Sequence, residues 1–584
     1  MKRILLLTIT LLFAGMTLSA APAYPGKVVA TQPDGTRITL RVYGDEFGHW
    51  VTNEAGSLMV CEADGFWRPA PPTISVSAIQ NHALTRRMAS HISRRAPGTQ
   101  ANFGSPRIPV LLIGFEGKPF LKRPEDFSAM LNQEGYSDNG AVGSVLDYFR
   151  ENSFGKFTPS FEVFGPVQLS HPISYYGTNT KEGDDIRPEM ALVHAAYMLD
   201  DTVDFSQYDN DGDGIVDFIL FYYAGYDEAR GAPSESIWSH AWSVTASASG
   251  RDSCSFDGVR INDYFCTAEL HGIRDSVLCR IGTTCHEFSH TLGLPDFYDS
   301  NGYSSGQAAE TYYYDLMCEG CYNADSTCPP YLNAEELMEV GWYPAIPALP
   351  EGEVSLPEIN HPGAEAYSAY RLESSERGEY FLFETRGGKR WDEPLPPGMV
   401  VYHVDCSSHK VTGYLTASQT WYVNQVNAYS SHPCCYVVPA GNPASTSYYR
   451  GAMANIPFPG SKGVTEYSPS DWNGNVPSLS LTDISYAAGV TTFRTSNPYT
   501  LAKTGYSCID DPKKGSYVAG ESLVLKLIEG EGERKPASDI LWSFDGEPVT
   551  GTSVRLPAGT HLIEAGFTTR SGSRKTVSLE VEVR

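Results

Sequence analysis

Several features are missing from this 584-residue chain, and each absence removes a class of protein. Beyond the N-terminus no apolar run is long enough to span a bilayer, so we expect no integral membrane domain. Positive charge is in deficit, because 43 Lys and Arg stand against 69 Asp and Glu, and the net charge of -26 argues against binding to nucleic acid. Repeats and low-complexity tracts are also absent, and the length favours about three to five globular domains.

The N-terminus predicts export. Met1-Lys2-Arg3 is a short basic region, and residues 4–18 are mostly apolar. Ala21-Pro22-Ala23 offers a small-residue cleavage site, with Ala20 as a rival, so residues 1–23 are predicted to be a secretory signal peptide. No lipobox-like cysteine follows this region. We therefore expect a soluble protein that is secreted into the extracellular space.

The chemical signal of the chain is the HExxH sequence that begins at His286. His286 and His290 lie about one helical turn apart on one face, so both imidazoles can point at one metal ion. Glu287 is positioned to act as general base. Gly293 and Pro295 end the helix, and the chain can then bring Asp296 to the metal as third ligand. Three protein ligands with one open position are typical of catalytic zinc.

A methionine downstream supports this interpretation. Met317 follows Tyr314-Asp315-Leu316 and precedes Gly320, as expected for the methionine turn beneath the metal in metzincin peptidases. The metzincin pattern has histidine as third ligand, whereas this chain has Asp296. Tyr322 or a neighbouring tyrosine is a candidate hydrogen-bond donor to the developing oxyanion.

The segments HEFSHTLGLPDFYD, YDLM and PPYLNAEELMEVGW together resemble the immune inhibitor A family of secreted bacterial metallopeptidases. The stretches LDYFRENSFGKF (residues 146–157) and GMVVYHVD (residues 398–405) resemble it as well, so the likeness covers about residues 105–410. In that family an aspartate replaces the third histidine. The resemblance implies one zinc ion on His286, His290 and Asp296, with Glu287 as catalyst and Met317 below. Cys318 departs from the small polar residue expected at its position.

These residues predict a zinc metalloendopeptidase that hydrolyses peptide bonds of extracellular proteins. Glu287 takes a proton from the attacking water and hands it to the leaving amine. Two alternatives remain from the sequence. One is a zinc hydrolase with a non-peptide substrate, and the other is a calcium-stabilised adhesion or binding protein with an inactive protease domain. No sequence feature indicates an oligomeric state.

An acidic loop precedes the metal motif. Asp209, Asp211, Asp213 and Asp217 place oxygen ligands at alternate positions around Gly214, as calcium loops do. The bidentate Glu at position twelve is missing, and a strand follows instead of a helix. We therefore predict a structural calcium site outside an EF-hand, with an ion-free acidic turn as the alternative.

Residues 24–100 are predicted to form a β-rich pro-region and a cleavable linker, because alternating patterns are followed by a basic, polar stretch. Arg86-Arg87 and Arg94-Arg95 lie in that stretch, and maturation is expected within residues 86–105. Something in the pro-region should block the open metal position. Cys61 is the candidate, as a thiolate ligand, with Asp45, Glu46 and His49 as rivals.

Twelve cysteines in an exported chain permit disulfides. Their proximity in sequence suggests Cys254 with Cys266, and one pair among Cys318, Cys321 and Cys328.

The fold class predicted is an α+β, metzincin-like catalytic domain (residues 101–345) followed by β domains. Prolines between residues 344 and 357 mark its end, short strands predict a β-sandwich over residues 346–500, and residues 501–584 predict a further, immunoglobulin-like β domain. His403, Asp405 and His409 could form a metal site, but the strand pattern favours ordinary packing.

Overall fold

The computed structural model describes residues 21–584 except 63, 90–98, 182, 247–253, 274–275, 344, 360–367, 475–476, 478, 497–498, 502–516, 521, 526, 530–538, 552 and 569–573. It is a mixed α and β protein with many sheets and few helices. No helix within these residues combines the length and apolar character needed to cross a membrane.

The segment predicted to be a pro-region is a five-stranded antiparallel meander followed by a helix. Its strands are β1 (Val28–Thr31), β2 (Arg37–Asp45), β3 (Gly48–Asn53), β4 (Leu58–Cys61) and β5 (Trp67–Pro69), and its helix is α1 (Val76–Ala89). The helix packs on β3. The β-rich character expected from the alternating pattern is present in this segment.

A second five-stranded sheet forms the centre of the next unit. Its strands are β6 (Arg107–Gly114), β7 (Ser160–Gln168), β8 (Leu220–Tyr226), β9 (His240–Ser243) and β12 (Asp263–Leu270), in the order β7-β6-β8-β12-β9, with the short hairpin β10 (Ser255–Phe256) and β11 (Val259–Arg260) beside it. Four strands are parallel, and β9 pairs antiparallel to β12 at one edge.

Helices lie between and after these strands along the chain. They are α2 (Pro124–Asn132), α3 (Val145–Asn152), α4 (Ser174–Gly177), α5 (Glu189–Leu199), α6 (Ile281–Thr291), α7 (Asn323–Ser326) and α8 (Ala334–Glu339). A capping box at Ser144 starts α3, because its side chain accepts from Asp147 N and the Asp147 carboxylate accepts from Ser144 N. Apolar side chains of the sheet face two buried clusters, one on each side.

The following β unit consists of two packed sheets. One contains β13 (Gly352–Pro357), β18 (Ser480–Ala487) and β19 (Val490–Ser496); the other contains β14 (Ala369–Glu373), β15 (Glu379–Arg386), β16 (Gly398–Asp405) and β17 (Cys435–Val437), with α9 (Ala417–Tyr422) between β16 and β17. Every residue of β15 and β16 is buried. Alternate residues of β15 explain this, because Phe381 and Phe383 face the three-stranded sheet while Leu382 joins the core of the α6 unit.

The C-terminal unit has its own core, formed by residues between 517 and 583. Its strands are β20 (Tyr499–Leu501), β21 (Ser522–Val524), β22 (Leu527–Glu529), β23 (Leu541–Phe544), β24 (Glu547–Val549), β25 (Ser553–Arg555), β26 (Gly559–Thr568) and β27 (Arg574–Val583). Asp545 and Gly546 join β23 to β24 with φ of 50° and 83°, the left-handed values that a tight hairpin requires.

Two expectations require correction. Residues 86 and 87 belong to α1 rather than to an exposed linker, and the Arg87 side chain is buried against Asp45 and over the Phe47 ring. Arg86 likewise pairs with Asp184. Because Arg87 is buried, Arg86-Arg87 is not part of an exposed stretch where maturation could occur. The other basic pair, Arg94-Arg95, lies outside the described residues.

The suggested disulfides are not formed. Cys254, Cys266, Cys318, Cys321 and Cys328 are all buried free thiols. Their sulfurs turn toward other groups: Cys266 Sγ lies 3.4 Å from His240 Nδ1, and Cys321 Sγ donates to the Cys318 carbonyl at 3.4 Å. Burial raises the pKa of these thiols, which favours the protonated form.

Candidate functional site

Helix α6 carries the HExxH sequence and is buried along its whole length. Phe288 anchors one side of the helix, packing at ring-centroid distances of 4.8 to 5.9 Å against Phe149, Phe157, Phe161, Phe218 and Phe265. In the first turn, a Cβ on Gly282 would lie 2.0 Å from the Cys321 carbonyl oxygen. The helix therefore sits directly on the backbone that follows Met317, and its position is tightly fixed.

The helix ends as the sequence predicts. Gly293 has a φ of 108°, and its N–H donates to the His290 carbonyl at 2.9 Å. Leu294 N donates to Ser289 O, and the Leu294 carbonyl accepts from His290 Nδ1 at 2.8 Å. This turn both reverses the chain toward Asp296 and fixes the orientation of the second histidine.

Three ligand atoms converge beside the helix. His286 Nε2 and His290 Nε2 are 3.0 Å apart, and Asp296 Oδ1 lies 3.4 Å from each. A tetrahedral zinc ion about 2.0–2.2 Å from nitrogen and oxygen ligands requires them to lie about 3.4 Å apart. The three side chains therefore fit zinc. Burial raises the pKa of Asp296, but His290 and His286 outweigh it and hold that pKa well below its usual value.

The turn at Met317 holds the ligands through its backbone. The Leu316 carbonyl accepts from His286 Nδ1 at 2.8 Å, which leaves Nε2 to face His290 and Asp296. The Met317 carbonyl accepts from Phe297 N at 2.8 Å, next to Asp296. Asp315 shapes the turn by accepting from Met317 N and from Asn333 Nδ2 at 2.7 Å each. Met317 itself is fully buried.

One residue that contacts Asp296, the predicted third ligand, could not be recognised in the sequence. Asn424 accepts from Asp296 N at 2.7 Å through Oδ1 and donates to Asp296 Oδ2 at 2.6 Å through Nδ2. It therefore grips the backbone and the side chain of Asp296 at once. Asn424 follows α9 in the β unit, 128 residues further along the chain, so no local pattern could identify it.

Glu287 contacts the N-terminal segment, which we define as residues 21–24. Its Oε1 accepts from Ala21 N at 2.7 Å, while its Oε2 is buried with no hydrogen-bond partner among the described residues. Burial raises the pKa of Glu287 well above its usual value, and the Ala21 N–H opposes that shift. The predicted signal-peptide boundary after Ala23 had assigned Ala21 and Pro22 to the removed part.

The first two carbonyls of this segment accept hydrogen bonds from aromatic side chains. Trp238 Nε1 donates to Ala21 O at 3.1 Å, and Tyr322 Oη donates to Pro22 O at 2.6 Å. Burial raises the pKa of Tyr322 well above its usual value, so the phenol keeps its proton. Tyr24 N donates to Ala229 O at 2.9 Å. The segment thus lies beside Glu287 as an extended peptide would, with a polar partner for each of these backbone groups.

The predicted pro-region also brings a carboxylate close to the site. Glu46 is buried, and neither of its carboxylate oxygens has a hydrogen-bond partner within the described residues. Burial raises its pKa well above the usual value, and the negative charges of Asp296 and Glu287 raise it further. Cys61, the predicted latency residue, is not among the groups that contact His286, His290 or Asp296. It lies half-buried in β4, and burial raises the pKa of its thiol to about 11.

The acidic loop before β8 brings part of its predicted set together. Asp209, Asp211 and Asp217 each offer an oxygen, and these lie within 4.8 Å of one another. Asp213 is not in this group; its Oδ1 accepts from Ile215 N at 2.8 Å.

Comparison with known proteins agrees with this geometry. Residues 122–329 match the family model described as the immune inhibitor A peptidase M6 catalytic domain. Over 213 residues the chain is 24% identical to the pre-pro-metalloprotease PrtV of Vibrio cholerae serotype O1, covering 32% of this chain and 23% of that protein. Over 199 residues it is 23% identical to immune inhibitor A of Bacillus thuringiensis subsp. alesti, covering 30% and 28%.

The resemblance expected from the HExxH region is therefore confirmed. The matched stretches correspond to about a quarter of the length of these relatives. The likeness thus concerns the metallopeptidase segment, which includes α6, Asp296 and the Met317 turn.

Proposed function

We propose that this protein is a secreted, zinc-dependent endopeptidase that is made as a zymogen and cleaves peptide bonds of extracellular proteins. The observation that carries the proposal is the convergence of His286, His290 and Asp296 beside Glu287 in one buried site. A metzincin-like catalytic domain is part of the proposal, supported by the Met317 turn beneath the ligands. An inactive protease domain would not require this complete set.

Zinc held by the two Nε2 atoms and Asp296 Oδ1 would polarise a peptide carbonyl and make water nucleophilic near neutral pH. Glu287, the adjacent carboxylate, would accept the proton of that water and pass it to the leaving amine. Tyr322 would donate its phenolic hydrogen bond to the carbonyl oxygen as negative charge develops there. Its contact with the Pro22 carbonyl supports this role.

The zymogen proposal rests on the N-terminal segment. Because Ala21 N occupies Glu287 Oε1 and Tyr322 holds the Pro22 carbonyl, a substrate peptide would have to displace residues 21–24. Glu46 adds a buried carboxylate from the same pro-region. These contacts favour the rival signal-peptide boundary at Ala20, since cleavage after Ala23 would remove the contacting residues. They do not favour Cys61 as the latency residue.

We propose the calcium site with three of the four predicted aspartates as ligands. Asp209, Asp211 and Asp217 would supply side-chain oxygens, and Asp213 would shape the loop. An ion there would brace the chain where it enters β8, the strand paired with β12.

The decisive experiment is casein cleavage by the matured protein. Wild type would be compared with Glu287→Gln, and with wild type treated with 1,10-phenanthroline and then resupplied with zinc. Both changes should abolish cleavage, and zinc should restore it only in the treated wild type. Because Gln keeps the size of Glu but cannot accept the proton, the cleavage rate of Glu287→Gln should fall by about 10²–10⁴-fold.

Glu125→Gln is the matched control, because Glu125 is an exposed residue in the first turn of α2. It should cleave casein at the wild-type rate. The proposal fails if matured wild type binds one zinc ion per chain at this site and Glu287→Gln cleaves as fast as Glu125→Gln.

A further inference from the structure

A second group of metal-ligating side chains lies away from α6. Asp405, His409 and His432, which we call the Asp405 cluster, offer ligand atoms that all lie within 4.8 Å of one another. Asp405 Oδ2 is 3.0 Å from His409 Nδ1 and 2.7 Å from His432 Nε2. Asp405 is the last residue of β16, and His432 comes three residues before β17 begins. The sequence offered His403 in place of His432, because His432 is distant along the chain.

The buried carboxylates of the cluster face histidines rather than Lys or Arg. The side chains of Asp405 and Glu379 are 0% exposed, and Glu379 Oε2 lies 3.6 Å from His409 Nδ1. Within the described part of the chain, the ion-pair partners recorded for these two carboxylates are histidines, with no Lys or Arg. Buried carboxylates are costly unless a positive charge compensates them, and a divalent cation would do so.

Neighbouring groups aim the ligand atoms at one another. Asp405 Oδ1 accepts from Ser407 N at 2.8 Å, which leaves Oδ2 to face the histidines. Ser407 Oγ accepts from His409 N at 3.0 Å and fixes the turn that carries this histidine. The His432 ring stacks on Trp472 at 3.9 Å with an interplanar angle of 18°. Supporting contacts of this kind orient the ligands of metal sites in proteins.

The cluster also lies at the two ends of a segment that contacts Asp296 and Phe297, just after α6. We define the bridging segment as residues 406–434, between β16 and β17; it begins beside Asp405 and ends beside Cys435. Trp421 Nε1 donates to the Asp405 carbonyl at 2.8 Å, near the cluster. Asn424 grips Asp296, and Asn427 Nδ2 donates to the Phe297 carbonyl at 2.8 Å. One end of the segment is thus in the Asp405 cluster and its middle holds the third ligand of the α6 site.

We propose that Asp405, His409 and His432 bind a second divalent transition-metal ion, which clasps the bridging segment and so keeps Asn424 on Asp296. Two imidazole nitrogens and one carboxylate oxygen suit zinc, whereas calcium prefers an all-oxygen set. Glu379 Oε2 lies 3.6 Å from His409 Nδ1, at the edge of the site. The pairing of Val404 with Cys435 already joins the two ends of this 29-residue segment (406–434). An ion on His409 and His432 would add a second cross-link inside it, which further reduces the number of conformations open to the segment and stabilises the folded arrangement.

The test is the zinc content of the full-length chain, measured by inductively coupled plasma mass spectrometry after equilibration with Zn²⁺ and removal of loosely bound ion. Wild type should retain two ions per chain. The His286→Gln/His290→Gln variant should retain one, held by the Asp405 cluster, and His409→Gln/His432→Gln should also lose one. The matched control is His171→Gln/His194→Gln, a pair of neighbouring histidines elsewhere on the protein, which should retain two.

The proposal is overturned if the His286→Gln/His290→Gln variant retains no zinc. This variant leaves the Asp405 cluster intact, so its zinc content decides the question even if His409→Gln/His432→Gln does not fold. The clasp is tested in the same variant by hydrogen exchange. Adding Zn²⁺ should slow exchange in residues 406–434, and unchanged exchange with zinc bound would refute the clasp. Neither readout depends on peptidase activity, so a failure here is distinguishable from a failure of the proposed function.

Discussion

Among single residues, Asn424 links the β unit to the metal ligands most directly. We predict that Asn424→Asp weakens zinc binding at the α6 site by about 10–100-fold, as loss of a supporting contact to a metal ligand does. The variant replaces the Nδ2 donor, 2.6 Å from Asp296 Oδ2, with a carboxylate oxygen, so two buried negative charges face each other. Competition between the protein and a chromogenic chelator measures the affinity.

Asn442→Asp is the control for added charge, because Asn442 is exposed. It should leave zinc affinity unchanged. Equal affinities for the two variants would show that Asn424 does not orient Asp296.

Tyr322 is the residue through which transition-state stabilisation can be separated from binding. Tyr322→Phe removes only the hydroxyl that donates to the Pro22 carbonyl, while the ring keeps its contacts with Tyr24 and Arg230. We expect kcat to fall about 10²–10³-fold with little change in KM, as when an oxyanion donor is lost. Steady-state cleavage of a fluorogenic peptide gives both constants.

Zinc content should stay at the wild-type level in Tyr322→Phe, and Tyr197→Phe, at an exposed tyrosine, should behave as wild type. A rise in KM with kcat unchanged would assign Tyr322 to substrate binding alone.

How much of the site could be predicted depended on distance along the chain. His286, Glu287, His290 and Asp296 fall within eleven residues, so helical periodicity and a helix stop were enough to group them. Asn424 and His432 reach their partners only through the tertiary fold. The prediction that Arg87 lies in an exposed linker was wrong for a related reason. A pair of basic residues predicts exposure, but the charge of Arg87 is neutralised inside the protein by Asp45, which is distant along the chain.

Among the elements, α6 depends on a close approach that only glycine permits. Gly282→Ala would gain about 0.8–1 kcal/mol of helix propensity. The new methyl group would lie 2.0 Å from the Cys321 carbonyl oxygen, which belongs to backbone and cannot rotate away. Overpacking of this kind typically costs about 1–3 kcal/mol, which exceeds the gain in helix propensity, so the free energy of unfolding should fall. We expect a lower melting temperature in calorimetry, together with weaker zinc binding as α6 shifts.

Gly413→Ala isolates the effect of the added methyl group, since nothing lies within 4 Å of a Cβ built there. Its melting temperature should match wild type. A Gly282→Ala protein that is as stable as Gly413→Ala would contradict the tight seating of α6.

Elements with strong local signals in the sequence are the easiest to predict. Helix α5 (Glu189–Leu199) is a run of mostly good helix formers, and Asp545-Gly546, a typical hairpin pair, joins two paired strands. Helix α1 was missed because its apolar positions are sparse and basic residues fill its last turn. Its position on β3 comes from contact with the sheet rather than from a clear amphipathic pattern.

At the scale of the whole molecule, the predicted boundary near residue 345 does not separate two cores. The prolines between residues 344 and 357 do mark a change from helices to strands. One buried cluster nevertheless runs from Ala101 to Ile456, and it includes Leu337 of α8 together with Leu382 and Tyr402 of the β unit. A sequence shows that β15 is apolar, but it does not show that the strand's two faces serve different neighbours.

This shared core predicts opposite results for two truncations. A chain ending at residue 345 loses β15 and β16, which cover Leu337, and it loses Asn424, which holds Asp296. It should be insoluble or unfold without a cooperative transition. A chain ending at residue 496 loses only the unit whose core lies between residues 517 and 583, so it should melt cooperatively and retain wild-type zinc. Calorimetry and metal analysis of both chains test this, and a cooperative, zinc-binding 345-residue chain would show that residues 101–345 fold independently after all.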